Sequence, residues 1–491
     1  MKLSYPGRRM RLAAVAALLL ASWVQAQASG VDAGDPMMLR AQSRLGYGPT
    51  PAILAPGDAR VWARAQLEAA QAASRVAPVL APELAPFNAP LPSLFAQFRE
   101  EQEARRLVRA KSADSSPPTP GQPRIEAANG DYPFSRQMAQ TAAAWRVIGC
   151  SQPDQENPLL ARMTEFWFNH LNVFAGKGSV RPFVGHYVVN VIRPHALGRF
   201  EDLLLASAKH PAMLFYLDQA QSVAEGTMGQ GGQRRGLNEN YARELLELHT
   251  LGAQGGYSQT DVRQLARILT GWTVNPNADS GFRFAPLLHE RGDKTLLGHN
   301  FKSDGIREGE EAIRMLARHP STARRVSQRL AEFFVSDQPP AALVNRLAAA
   351  FTNSQGDIRA TMQALIDSPE FWQAENRLFK TPLDFACSTL AATGGIKDRR
   401  DVALTLGFLA GAGQPVHGWR TPDGYKTDAA TWMAPEALTR RADYALTIGR
   451  RGDEPISLRP FIAQANRDRI EREPPAMRSG LILASPEFMY K

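Results

Sequence analysis

The segment Asn238-Glu239-Asn240-Tyr241-Ala242-Arg243-Glu244-Leu245-Leu246-Glu247-Leu248-His249-Thr250-Leu251-Gly252 carries a helix start, a helix stop and a face assignment in one run. Asn238 is a good N-cap, the two glutamates nearest the start suit the positive end of the helix dipole, and Gly252 can close the last turn in the left-handed conformation. At about 100° per residue, Tyr241, Ala242, Leu245, Leu246 and Leu248 share one arc, with Glu239, Asn240, Arg243, Glu244 and Glu247 opposite. His249 falls inside the apolar arc. An imidazole aimed into a core needs a hydrogen-bond partner, a metal or a proton-transfer task, because burying it unpaired is costly.

The same helical periodicity recurs on both sides of this run. It predicts helices over 94–111, 136–148, 158–174, 199–209, 259–269, 309–318, 322–334, 341–351, 358–366, 378–392 and 435–447. Ser258 with Asp261 fits a capping box, and Asp357 is placed to cap the helix ending before Ser368-Pro369. The only strand signal of note is Phe282-Arg283-Phe284, half of a small hairpin. The predicted fold class is therefore all-α: a large, bundle-like helical domain with long irregular loops and at most one small hairpin. Residues 274–303 read as one such loop, and loops of that length are often functional.

Residues 1–28 read as a secretory signal peptide, with a basic start, an apolar run over 12–24 and small residues at Ala26 and Ala28. Residues 29–110 form an N-terminal helical part, 111–133 an exposed Pro/Ser-rich loop, and 134–491 the main helical body. The expected localisation is periplasmic or secreted, with no transmembrane segment once the signal is removed. Four basic and no acidic side chains lie in residues 1–30, so the formal net charge of +9 falls to +5 without them. With no Lys/Arg cluster interleaved with aromatics, nucleic acid is excluded as the expected partner. Cys150 and Cys387, the two cysteines, form either one long-range disulfide or two separately buried thiols.

A second helix places another histidine in an apolar stripe. In 162–174, Met163, Phe166, Trp167, Leu171, Val173 and Phe174 share an arc with His170, while Glu165, Asn169 and Asn172 lie opposite. Two such helices could bring His170 and His249 together inside a bundle, where metal and cofactor sites are built. The competing reading makes each a core histidine satisfied by a backbone carbonyl, a water or a neighbouring side chain. The first reading gives candidate catalytic residues His170, His249, Glu244 and Arg243, and a divalent-metal set of His170, His249 and Glu247. Candidate ligand-binding residues are Asn169, Glu239, Glu247, His195, His289 and Lys294. Glu239, Arg243 and Glu247 step by four, which makes either a solvated ion-pair ladder or, if another helix covers them, a guanidinium held by two carboxylates. No Gly-x-Ser-x-Gly elbow, Walker loop, His-Glu-x-x-His or EF-hand pattern is present.

At these residues the chain resembles the DUF1800 family, exported bacterial proteins of unknown function. The resemblance rests on Arg44-Leu45-Gly46-Tyr47-Gly48-Pro49-Thr50, Phe166-Trp167-Phe168-Asn169-His170, Arg193-Pro194-His195-Ala196-Leu197-Gly198 and His210-Pro211-Ala212-Met213-Leu214-Phe215-Tyr216-Leu217-Asp218. The opening helix, Thr270-Gly271-Trp272, Lys294 with Leu297-Gly298, Phe333-Phe334-Val335-Ser336-Asp337, Gly413-Gln414-Pro415, Gly418-Trp419 and the terminal Ser-Pro-Glu-Phe continue it over about 35–490. Pro415-Val416-His417 departs from the Asn-Val-Lys-like run that precedes Gly-Trp in the family. The resemblance implies a partner, because members are often encoded beside a family similar to alkaline phosphatases and sulfatases. It leaves two functions open: a binding or accessory protein working with a phosphatase- or sulfatase-like exported partner, or a periplasmic or secreted enzyme, metal-dependent in one form, with an interior His/Glu/Arg pocket.

Overall fold

Side-chain acceptors start the helices where the sequence places them. Asn238 Oδ1 accepts from the Asn240 and Tyr241 N–H groups, Ser258 and Asp261 close a reciprocal capping box, and Asp357 takes the Ala360 N–H. The computed structural model describes residues 35–50, 57–114, 133–228 and 236–491; the signal-peptide segment and most of the 111–133 loop lie outside them. Helices α1 (Pro36–Leu45), α2 (Ala59–Ser74), α3 (Leu91–Asp114), α4 (Pro133–Ser151) and α5 (Pro158–His170) open the body. Short helical turns over 181–195 lead to α6 (Phe200–Lys209) and α7 (Pro211–Tyr216). Helix α8 (Glu239–Glu244) and α9 (Gln259–Ile268) precede the strands; α10 (Ile306–Arg318), α11 (Pro320–Phe334), α12 (Ala341–Asn353) and α13 (Ile358–Asp367) follow them. The chain finishes with α14 (Pro382–Ala392), α15 (Arg399–Gly411), α16 (Pro435–Gly449), α17 (Gln464–Glu471) and α18 (Pro475–Leu483). The protein is mostly helical, as its periodicity predicts, and no helix among the described residues is long and apolar enough to cross a membrane.

Three expectations are corrected. Residues 274–303 are not one irregular loop: β1 (Trp272–Val274) pairs antiparallel with β2 (Phe282–Phe284), and β3 (Lys294–Leu296) pairs with β4 (His299–Phe301). The second hairpin turns on Leu297 and Gly298, both at positive φ, a two-residue turn that ordinarily advertises itself as Asn-Gly. The helix expected from 378 starts at Pro382, capped by Thr381, because proline fits the first helical position and disfavours helix before it. Leu378 instead exchanges backbone hydrogen bonds with Lys491. Helix α5 stops at His170 rather than Phe174, since Leu171 leaves helical geometry at φ −112°, ψ 48°.

Among the described residues two apolar cores form. The larger runs from Met38 to Trp372 and includes Leu67 and Leu94 from the early helices; the smaller is built from Phe379 to Met489 together with Tyr47, Val147, Cys150 and Ala161. The cysteines pair, and the Cys150–Cys387 disulfide joins α4 to α14 across a sequence separation of 237. A cross-link closing so long a loop restricts the unfolded chain strongly. Replacing both cysteines by serine is expected to lower stability by about 2–5 kcal/mol, read as a lower denaturation midpoint under non-reducing conditions, with the parent converging on the variant once reductant is added.

Candidate functional site

The helix that opens at Asn238 does not run to its end as an α-helix. After Glu244 it widens into a π-turn, Leu245–His249, the kind of local insertion frequently found at functional sites. Thr250 Oγ1 donates to Leu245 O, and Gly252 at φ +87° lets its N–H reach Leu246 O. The turn points the His249 carbonyl at α5, where it receives His170 Nε2 at 3.0 Å. A carbonyl only accepts, so His170 carries its proton on Nε2 and leaves Nδ1 bare, buried and without a partner. The ring packs among Phe166, Trp167 and Phe200. Burial first, then the Arg329 and Arg325 charges, hold its pKa well below the usual histidine range. His249 is pushed down to about 3 by burial and by Arg325, and its Nε2 is also unpartnered. The two histidines do meet, but ring to backbone.

The charged groups beside them are less fully engaged. Arg325 donates Nε to Leu248 O. One turn later Arg329, partly buried, has no hydrogen bond or ion pair among the described residues; burial lowers its pKa, while Glu332 and Asp423 raise it. Glu244, half-buried, has no partner either. Burial raises its pKa, the nearby Glu247 and Asp423 carboxylates push the same way, and Arg243 opposes them. Tyr216 lies within the field of Glu244 and Asp423. Glu247 accepts a bond from Tyr257 Oη at 3.3 Å.

The segment carrying Asp423 is fastened by the end of α5. Asn169 donates Nδ2 to Tyr425 O at 2.9 Å and accepts from the Tyr425 N–H at 2.6 Å, while Asn172 donates to the Trp419 and Thr421 carbonyls. Gly424 sits against Asn169 at φ +74°, where a Cβ would come within 2.1 Å of the Asn169 carbonyl oxygen; no other residue fits. Tyr216 Oη donates to Arg420 O at 2.7 Å. Asn169, a ligand candidate from sequence, therefore spends its amide on backbone.

Other candidates part from this cluster. Gln259 on α9 bridges Glu239 and Arg243, bonding each at 2.8 and 2.9 Å, so the expected Glu239–Arg243–Glu247 ladder is replaced by amide contacts. His195 bonds Val191 O four residues back and serves its own turn. His289 and Lys294 converge on Glu308, a residue the sequence did not single out. Lys294 Nζ donates to Glu290 O and lies 2.9 Å from Glu308 Oε2, His289 Nδ1 meets Thr270 O at 2.8 Å, and all three side chains are buried. This triad fastens the second hairpin and the connection leading into it to α10 and makes no bond to Glu244 or Arg329. Among the described residues no group of three or more His, Cys, Asp or Glu is placed to hold a metal ion, so the proposed trio of His170, His249 and Glu247 does not form one.

Sequence reading missed Arg325, Arg329 and Asp423. The two arginines stand four apart on α11, on what looks in sequence like an ordinary solvated face, and Asp423 lies far along the chain in a loop positioned by Asn169, Asn172 and Tyr216, all distant in sequence. A family model described as a protein of unknown function (DUF1800) matches residues 40–490. Comparison with curated proteins and with solved structures gives no match.

Glu244 keeps its proton to higher pH in the folded chain than in the unfolded one. The folded state therefore binds more protons between the ordinary glutamate value and the raised one, and stability falls as pH rises through that window. Glu244→Gln is expected to melt above the parent at pH about 7 and to converge with it near pH 3–4, read by thermal unfolding across that range.

Proposed function

The chain belongs to the DUF1800 family, and from that premise we propose that it is an exported binding or accessory protein. Its ligand or partner group engages Glu244, Arg329 and Asp423, and it works with an exported phosphatase- or sulfatase-like protein. The observation that carries this reading is two partly buried charges, Arg329 and Glu244, that no described residue pairs, beside the exposed Asp423, which accepts from Trp419 Nε1 and Thr421 Oγ1. Among the described residues Arg329 lacks a counterion at contact distance and Glu244 lacks any donor, although both have given up part of their hydration. A fold with no use for such groups would pair or expose them. A guanidinium of this kind fits a carboxylate, phosphate or sulfate brought by another molecule, and the neighbouring carboxylates fit a cationic or hydroxyl-bearing part of the same molecule. Export is supported by the signal-like residues 1–28 and by the Cys150–Cys387 disulfide, a cross-link that persists in oxidising compartments.

One observation favours an enzyme instead. Glu244, with its raised pKa, faces Asp423 and Glu247 across a partly solvated cluster, an arrangement in which one carboxyl group donates a proton while another stays ionised. The metal-dependent form of that reading has lost its expected ligand trio.

Co-exporting the chain with a phosphatase- or sulfatase-like exported protein, of the kind that family members are often encoded beside, then measuring mass and stoichiometry of the purified mixture, separates these readings. A complex of fixed ratio, weakened at least about tenfold by Arg329→Ala with unchanged melting, is the expected result. Two proteins that elute separately at micromolar concentration would sink the partner reading. Hydrolytic turnover by the isolated chain, lost in Glu244→Gln, would move the conclusion to the enzyme.

A further inference from the structure

Away from this cluster, a cavity of about 30 Å³ lies between α1, residues 47–49, α14, residues 458–462 and residues 487–490. A single water needs roughly 10–15 Å³ measured in this way, so the space suits about two waters or one ion of halide size. Most of the wall is apolar, yet three polar groups converge on it. Lys380 is 3% exposed, and its Nζ stands 3.6 Å from the centre of the Phe488 ring and makes no hydrogen bond among the described residues. Ser43 and Ser388, both buried, line the same space, and neither hydroxyl makes a hydrogen bond among the described residues. Glu487 also borders the cavity, but its Oε1 is taken by the Ala463 N–H and by Asn466 Nδ2, each at 3.0 Å.

The surroundings carry too much positive charge. Asp384 is gripped by Arg162 and Lys491, and Arg441 and Lys380 lie within its field. Arg44 reaches only the carbonyls of Phe371 and Asn376, and Glu165 is engaged by Arg146. Nitrogens of Arg44, Arg162 and Arg441 remain buried without partners. Leaving aside the Arg146–Glu165 pair and the partly buried Glu487, five buried basic side chains thus gather around the single carboxylate of Asp384, a costly imbalance in a low-dielectric interior. Part of the strain is visible in the lysines: burial and then the neighbouring cations push Lys491 down to about 7 and Lys380 well below its usual range, even against the pull of Asp384.

We propose that this cavity binds one small monovalent inorganic anion, of the size of chloride or bromide, held by Lys380 Nζ and the Ser43 and Ser388 hydroxyls. The anion supplies the missing negative charge, satisfies three donors that the protein leaves idle, and ties α1, α14 and residues 487–490 to one point. Lys380 is then held as an ammonium.

The test uses the full mature chain, melted in sodium chloride, sodium bromide and sodium gluconate at equal ionic strength, gluconate being too large for the cavity. Chloride and bromide are expected to raise the melting midpoint by about 2 °C or more over gluconate. Lys380→Met is expected to abolish that difference. Ser388→Ala, the milder change, is expected to shift its half-saturation to several-fold higher chloride, and it stands in if Lys380→Met does not fold. Anomalous scattering from crystals grown in bromide is expected to place an ion beside Lys380. Equal midpoints in chloride and gluconate, or a difference that survives both substitutions, would overturn the site.

Discussion

Helix α5 is buried along its length, and apart from Thr164, whose hydroxyl stays unpartnered, its polar side chains find partners where they stand. That constraint organises much of the molecule. Arg162 reaches Asp384 and so binds the larger core to the smaller one; Glu165 takes Arg146 of α4; Asn169 fixes Tyr425; His170 meets the His249 carbonyl; Asn172, just past the helix end, holds Trp419 and Thr421. A helix that is hydrophobic all round can turn about its axis with little penalty, but one with four such polar commitments, and a fifth just past its end, has one orientation. Leaving any of these groups unpaired in the interior costs about 1–3 kcal/mol for a neutral group and more for an ion.

The second organising element is the π-turn at Leu245–His249. By inserting one residue into the helical ladder it turns the His249 carbonyl toward α5 and leaves Glu244 and Glu247 toward the partly solvated side. The candidate site thus arises where two local features meet: a polar end on a buried helix and a widened turn on its neighbour. The loop between them carries Asp423 and has no regular structure of its own. Its shape comes from side-chain bonds donated by Asn169, Asn172 and Tyr216 and from a glycine that lets the backbone approach closely.

Helical periodicity and capping chemistry were legible because they are local. Asn238, Ser258 with Asp261, and Asp357 act within three residues of themselves, and each does in the structure what its neighbours imply. Gly252 was legible for the same reason. The face assignment of 239–252 also largely holds, with Tyr241, Ala242, Leu245 and Leu246 buried and Leu248 only partly so. The β3–β4 hairpin was not legible, since Leu297-Gly298 hides its turn and three-residue strands carry too little alternation to register.

The sequence by itself determined that the chain is helical, where most helices begin, and that His170 and His249 lie in apolar stripes, because these follow from period, cap and turn chemistry within a few residues. Only the tertiary structure decided what those histidines do, which carboxylates stay unpaired, and that Arg325, Arg329 and Asp423 stand beside them. Those outcomes depend on contacts between segments up to 256 residues apart, as between Asn169 and Tyr425. The free energy of burying a polar group is set by what the folded chain happens to place opposite it, and no local pattern encodes that.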